Sequence, residues 1–182
     1  MMKLFVASDI HGSEFYCEKM LCAFHAEKAD KLVLLGDILY HGPRNELPKD
    51  YNPKSVIEML NKEKNKIICV RGNCDTEVDQ MVLEFPLLAD YSTILMENIT
   101  LFLCHGHIYS EDNLPPLNSG DVFLFGHTHI PEFDKINNIY IINPGSVSIP
   151  KNDSKNGYLV IEKNKVTFKD ITGEFVSEHH II

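Results

Sequence analysis

The sequence predicts an α/β fold, a two-sheet mixed β-sandwich flanked by helices, and two observations carry that expectation. The first half alternates short buried β-type runs with helix-forming segments, which favours parallel strands. The second half strings strand-like runs together through tight polar turns, which favours antiparallel hairpins. No internal repeat, low-complexity tract or linker interrupts the chain, and its 182 residues suffice for one sizeable core. Residues 1–182 are therefore expected to form a single domain.

Taken in order, residues 3–8 read as a buried strand that runs into Asp9-Ile-His-Gly12. Ser13 can cap a helix on which Phe15, Leu21 and Phe24 recur at roughly helical spacing. Residues 31–35 form a second buried strand ending in Gly36-Asp37, and residues 38–51, with their prolines and Gly42, read as loop. Asn52 as cap and Pro53 at the first helical position start another helix, with Val56, Ile57 and Leu60 toward the core. Residues 66–70 make a third strand ending in Arg71-Gly-Asn-Cys-Asp75, and a short amphipathic helix is expected over residues 77–83. Residues 93–96 and 99–104 flank a Glu97-Asn98 turn, and strands over 121–125 and 139–142 follow. Residues 157–162 and 166–171 form a hairpin around Lys163-Asn164-Lys165.

Composition removes several classes of function. The longest apolar stretches, residues 32–35 and 122–125, fall far short of the ~20 residues that span a bilayer, so no membrane partner is expected. The N-terminus turns acidic too soon for a signal peptide. Five cysteines, at 17, 22, 69, 74 and 104, lack zinc-finger spacing and fit reduced thiols in the cytoplasm. Lys plus Arg total 17 against 26 Asp plus Glu, a formal charge of −9 that disfavours a duplex nucleic-acid partner. Homo-oligomerisation is compatible with the sequence, and no feature of it demands an oligomer.

Five strand ends release residues that bind metals: Asp9 with His11, Asp37, Asn73, His105, and His127 with His129. Ligand sites of α/β sheets gather beyond the carboxyl ends of strands, where loops converge. Taken singly, each has a plain structural reading. An Asp after a strand caps a helix or forms a turn, and Gly-Asn is commonly a turn. The pairs His105-Gly-His107 and His127-Thr-His129 carry more, since an extended His-x-His points both imidazoles to one side. Seven such residues at five strand ends, each beside a glycine, point together to a metal centre.

These stretches resemble the calcineurin-like metallophosphoesterase signature: Asp9-x-His11, Gly36-Asp37, Gly72-Asn73, His105-Gly106 and Gly126-His127-x-His129. His41-Gly-Pro-Arg44, Arg71-Gly-Asn-Cys-Asp75 and Asn143-Pro-Gly-Ser-Val-Ser148 are similar to the small bacterial YfcE-type phosphodiesterases within that superfamily. The resemblance implies a four-layer αββα fold and a dinuclear site. One metal would take Asp9, His11 and His129, and the other Asn73, His105 and His127, with Asp37 bridging them. Oxygen and imidazole ligands suit divalent ions, Mn²⁺ first, with Fe²⁺ or Zn²⁺ as alternatives. The implied activity is hydrolysis of small phosphodiesters by a hydroxide held between the metals, with Asp37, Asn73 and Cys74 at the catalytic core.

The wider superfamily continues Gly-Asn with a histidine, expected to protonate the leaving alcohol, where this chain has Cys74. A thiol is a weaker acid, so Cys74 reads either as a small filler or as a poor substitute for that histidine. His41 and Arg44, on the loop after Asp37, are candidates for binding substrate phosphate. Residues 143–148 read as a turn near the site or simply a structural turn. His107 is left unassigned to metal, His25 reads as a surface histidine, and His179 and His180 fall in the tail. Two rival functions share these motifs: a phosphomonoesterase or nucleotide phosphatase, and a non-catalytic protein-binding scaffold of the same fold.

Overall fold

A computed structural model describes residues 2–96 and 98–181. Five strands and three helices occupy the order β1 (Lys3–Ala7), α1 (Glu14–Glu27), β2 (Lys31–Leu34), α2 (Pro53–Lys62), β3 (Ile67–Cys69), α3 (Glu77–Gln80), β4 (Tyr91–Met96) and β5 (Ile99–Cys104). Six more strands complete it: β6 (Val122–Leu124), β7 (Pro131–Ile136), β8 (Ile139–Pro144), β9 (Gly157–Glu162), β10 (Lys165–Asp170) and β11 (Phe175–His180). One sheet has the order β11-β10-β9-β1-β2-β3 and the other β4-β5-β6-β8-β7. Parallel pairing is confined to β1-β2-β3 and β5-β6-β8, and hairpins supply the antiparallel edges. The expected two-sheet mixed sandwich with flanking helices is the observed architecture.

Period-two alternation explains the layering. On β1, Leu4 and Val6 face the other sheet while Phe5 and Ala7 face the helices. Leu32 and Leu34 against Val33 repeat the pattern on β2. Leu101, Leu103, Val122, Leu124, Tyr140 and Ile142 complete the inter-sheet core from the opposite side. Helix α1 buries Cys17, Met20, Leu21 and Phe24, and α2 buries Val56 and Leu60, on the outer face of the six-stranded sheet. Ser13 Oγ accepts from Tyr16 N at 3.2 Å and Asn52 Oδ1 from Ser55 N at 3.4 Å, so both expected caps form. Phe15 stays outside the core, with the Lys49 ammonium 3.5 Å above its ring. Over the five-stranded sheet the outer cover is loop, through Tyr109, Leu114 and Leu117.

Some expectations need correction. Only Glu77–Gln80 is helical in the 77–83 segment, and Val78 and Met81 point to solvent, so that helix is not amphipathic against the core. Leu83, Phe85 and Leu87 enter the core after it as irregular chain. Strand β7 begins with Pro131 and carries Glu132, Asp134 and Lys135, the usual make-up of a sheet edge, and so lacks a buried alternating pattern. Residues 175–180 are not a tail but edge strand β11, where His179 stacks on Phe133 at 4.1 Å. His25 is a surface residue as expected, with Nε2 3.2 Å from Glu63 Oε1. Of the turn expected at 97–98, Glu97 lies outside the described residues. Among the described residues no helix is long and apolar enough to cross a membrane.

Candidate active site

Strands β1, β2 and β3 run parallel in one sheet and β5 and β6 in the other, so their carboxyl ends each open onto one rim of the sandwich. The loops leaving them are stitched by backbone bonds: Asp9 N to Gly36 O at 3.1 Å, His11 N to Asp37 O at 2.9 Å, Gly126 N to His105 O at 2.9 Å. Asp9, His11, Asp37, His127 and His129 all adopt left-handed backbone, with φ of 59°, 49°, 54°, 67° and 63°. Non-glycine residues enter that region at a cost, and surrounding contacts must hold them there. The reversal turns each side chain back over the strand ends. The His127-x-His129 segment is therefore not extended, as the sequence reading supposed; two left-handed residues aim its imidazoles.

Three imidazoles are held by backbone carbonyls. His11 Nδ1 donates to Tyr40 O at 2.8 Å, His105 Nδ1 to Leu35 O at 2.7 Å, and His129 Nδ1 to Ile149 O at 2.6 Å. With Nδ1 carrying the proton, each neutral ring presents a bare Nε2 lone pair. Yet His11 Nε2 and His129 Nε2 lie 3.2 Å apart, and His105 Nε2 lies 3.2 Å from His127 Nδ1. In the first pair two lone pairs face each other and need a proton or a cation between them, whereas in the second His127 Nδ1–H or a cation can meet the His105 lone pair. Asp9 Oδ1, fully buried and without a hydrogen bond among the described residues, completes the first pair at 3.2 Å from His129 Nε2. Asn73 Oδ1 completes the second, 3.2 Å from His105 Nε2. Asp37 Oδ2 stands between them, 3.7 Å from His11 Nε2 and 3.5 Å from His105 Nε2. Carbonyl-oriented imidazoles and buried carboxylates are a donor set that fits divalent cations.

Protonation shows how this set balances itself without a cation. Burial alone would raise the Asp9 carboxyl, but His11 and His129 override it and hold it well below the usual range. Asp37 is likewise held low against its burial, by His105. Burial disfavours charge on His105, yet Asp37 and Asp9 push its pKa up to about 9. A metal entering at neutral pH must therefore displace a proton from His105. Because those protons compete more strongly as pH falls, apparent metal affinity is expected to drop below pH ~9, approaching about tenfold per unit for each displaced proton. Calorimetry in two buffers of different ionisation enthalpy should register proton release at neutral pH. An affinity independent of pH, with no release, would show that these imidazoles do not exchange protons for metal.

A model of the "calcineurin-like phosphoesterase superfamily domain" matches residues 2–165. The chain belongs to that superfamily. This phosphoesterase is 50% identical over 164 residues to the phosphodiesterase YfcE of Escherichia coli K12, covering 90% of this chain and 89% of that protein. The solved structure of YfcE from E. coli superposes with a TM-score of 0.96 over 100% of both chains, at 45% identity. Vacuolar protein sorting 29 from Cryptosporidium parvum matches at a TM-score of 0.63 and 16% identity over 98% of each chain, a likeness of fold alone.

A cleft of about 460 Å³ opens over the centre, with Asp37, Asn73, Cys74, His127 and His129 at its floor and Arg44, Asn45, Thr128 and Lys151 on its walls. Arg44 lines this cleft. His41 does not line the cleft; its ring stands edge-on to Tyr40 and Tyr51, at 4.7 and 5.3 Å. Cys74 Sγ falls in a ligand-sized cluster with His11 and Asp37. Burial and the Asp37 carboxylate push its thiol far above the ordinary value. His107 Nδ1 has no hydrogen-bond partner among the described residues, and its ring is 5.4 Å from that of His105.

Sequence reasoning gave no role to Asp75, which holds the phosphoesterase's loops together. Asp75 accepts from Asp37 N at 2.8 Å, Ile38 N at 2.9 Å and Gly72 N at 2.7 Å, and burial pushes its pKa up to about 6. It pins the Asp37 loop to the Asn73 loop. Ser146 and Ser148 hydroxyls both donate to Asp9 O at 2.9 Å, and Asn143 Nδ2 donates to Gly126 O at 2.7 Å. The 143–148 turn is thus a buttress of the site. Gly72 and Lys151 were equally silent in the sequence as neighbours of Asp37 and His129. A Cβ on Gly72 would lie 2.1 Å from Asp37 Oδ1, so Gly72→Ala is expected to cost about 1–3 kcal/mol by overpacking and to lower metal content. A melting temperature and metal content equal to the parent's would show that the Asp37 loop yields freely.

Proposed function

We propose that this phosphoesterase hydrolyses small phosphodiesters at a dinuclear metal centre, as a single domain over residues 1–182. The observation that carries the reading is Asp37 Oδ2, set between the two facing imidazole pairs at 3.7 and 3.5 Å from His11 and His105 Nε2. Asp9, His11 and His129 would hold one cation, and Asn73, His105 and His127 the other, with Asp37 shared. Divalent cations bound there would supply Lewis acidity toward phosphoryl oxygens and would lower the pKa of a nucleophilic water. The chain's own part is orientation: Tyr40, Leu35 and Ile149 carbonyls fix the imidazole tautomers, and Asp75 holds both loops in register. Arg44 on the cleft wall would meet the substrate.

In the reaction, water oxygen bonds to phosphorus as the bond to the leaving oxygen breaks. One proton ends on the released alcohol, and the other passes to solvent. The E. coli relative's diesterase name supports diesters over monoesters. A mixed N/O donor set supports Mn²⁺ over softer ions. All five cysteines are unbonded, which supports work in a reducing cytoplasm. Chelation should abolish turnover of bis(p-nitrophenyl) phosphate, Mn²⁺ should restore it, and p-nitrophenyl phosphate should react more slowly. Full activity in protein assayed free of metal would sink the mechanism, and faster monoester turnover would sink the substrate class.

A further inference from the structure

We propose that the cleft is shaped for a phosphodiester bearing a second anionic group, a phosphate or carboxylate, on one of its ester arms. This rests on the diesterase reading and deepens it by naming the substrate class. Two cationic residues stand on the cleft walls, outside the metal-binding set: Arg44 and Lys151. The point where a Gly42 Cβ would sit is 3.3 Å from Cys74 Sγ, which seats the Arg44 loop against Cys74. Lys151 N donates to His129 O at 3.1 Å, which seats Lys151 beside His129. Among the described residues neither side chain makes an ion pair, whereas the chain's other arginine, Arg71, is held by Asp90.

A charge count gives this placement its meaning. Two divalent cations held by these residues would be balanced by the carboxylates of Asp9 and Asp37, one ionised water and the single charge of a diester. Arg44 and Lys151 then have nothing on the scissile phosphate left to neutralise. A cleft of about 460 Å³ leaves room for an ester arm to carry its own charge to either wall. Charge complementarity of this kind raises encounter and selects among substrates.

The test compares thymidine 5′-(p-nitrophenyl phosphate) with the same diester carrying a 3′-phosphate, so that leaving group and reacting bond are identical. The 3′-phosphate should raise kcat/KM about tenfold or more, chiefly through KM, and the advantage should shrink as salt is raised. Arg44→Gln or Lys151→Gln should remove most of it. Equal kcat/KM for the two diesters, or an advantage that survives both substitutions, overturns the proposal. Hydrolysis of neither diester would instead overturn the diesterase reading. Calorimetry then still decides the present one, because thymidine 3′,5′-bisphosphate should bind the metal-loaded protein about tenfold tighter than thymidine 5′-phosphate. Equal affinities there overturn it.

Discussion

Asp37→Asn should lower turnover by more than about 10²-fold and empty part of the metal centre while leaving the fold intact. The expectation follows from what each carboxylate oxygen does. Oδ1 accepts from Cys74 N at 2.8 Å, a task the amide oxygen of Asn can take over. Oδ2 faces His11 and His105 Nε2 across 3.7 and 3.5 Å, and there Asn would place an NH₂ group with no negative charge. The change is isosteric, so neither a cavity nor an overpacked loop follows. What is lost is the charge that both cations would share, and weaker perturbations around metal ligands already cost about 10–100-fold. The test combines metal content, kcat and melting temperature. A variant that melts normally but retains most of its metal and activity would remove Asp37 from the centre.

Cys74→His should produce the largest gain, and a selective one. The thiol is pushed upward by burial and by Asp37, so it is a poor proton donor to a departing alkoxide. Bound cations would offset the carboxylate's share of that shift but not the burial. A histidine would bring an acid of ordinary pKa ~6.5, and positioned general acids contribute about 10²–10⁴-fold. Alkyl diesters, whose leaving oxygens need the proton, should gain most, and nitrophenyl diesters should barely change. The slope of log kcat/KM against leaving-group pKa is the measurement. An unchanged slope, with metal content matched to the parent, would show that position 74 does not protonate the leaving group.

Much of the site was legible because its residues are chemically unusual at the ends of apolar runs. Asp9, Asp37, Asn73, His105, His127 and His129 each follow a strand that period and composition identify without help. Asp75 stood in plain view two positions after Asn73, but its work is done on the backbone of a different strand's loop, 37 and 38 residues away in sequence. Nothing local marks such a residue. His41 lies three positions before Arg44 in the chain, while the loop's path turns its ring to Tyr40 and Tyr51. Edge strands β7 and β11 were missed because charged and polar residues interrupt the apolar run that would mark a strand.

By itself, then, the sequence determined the layers and the donor set. Alternating burial specifies which residues face which sheet, and strand-end Asp, Asn and His specify the kind of chemistry available. Only the tertiary structure decided which donors meet. Lone pairs 3.2 Å apart on His11 and His129 join residues 118 positions apart. Their aim depends on left-handed φ values and on carbonyls lent by Tyr40 and Ile149. Periodicity is a property of neighbours along the chain, whereas convergence is a property of loops packed from two sheets, and no local pattern encodes the second.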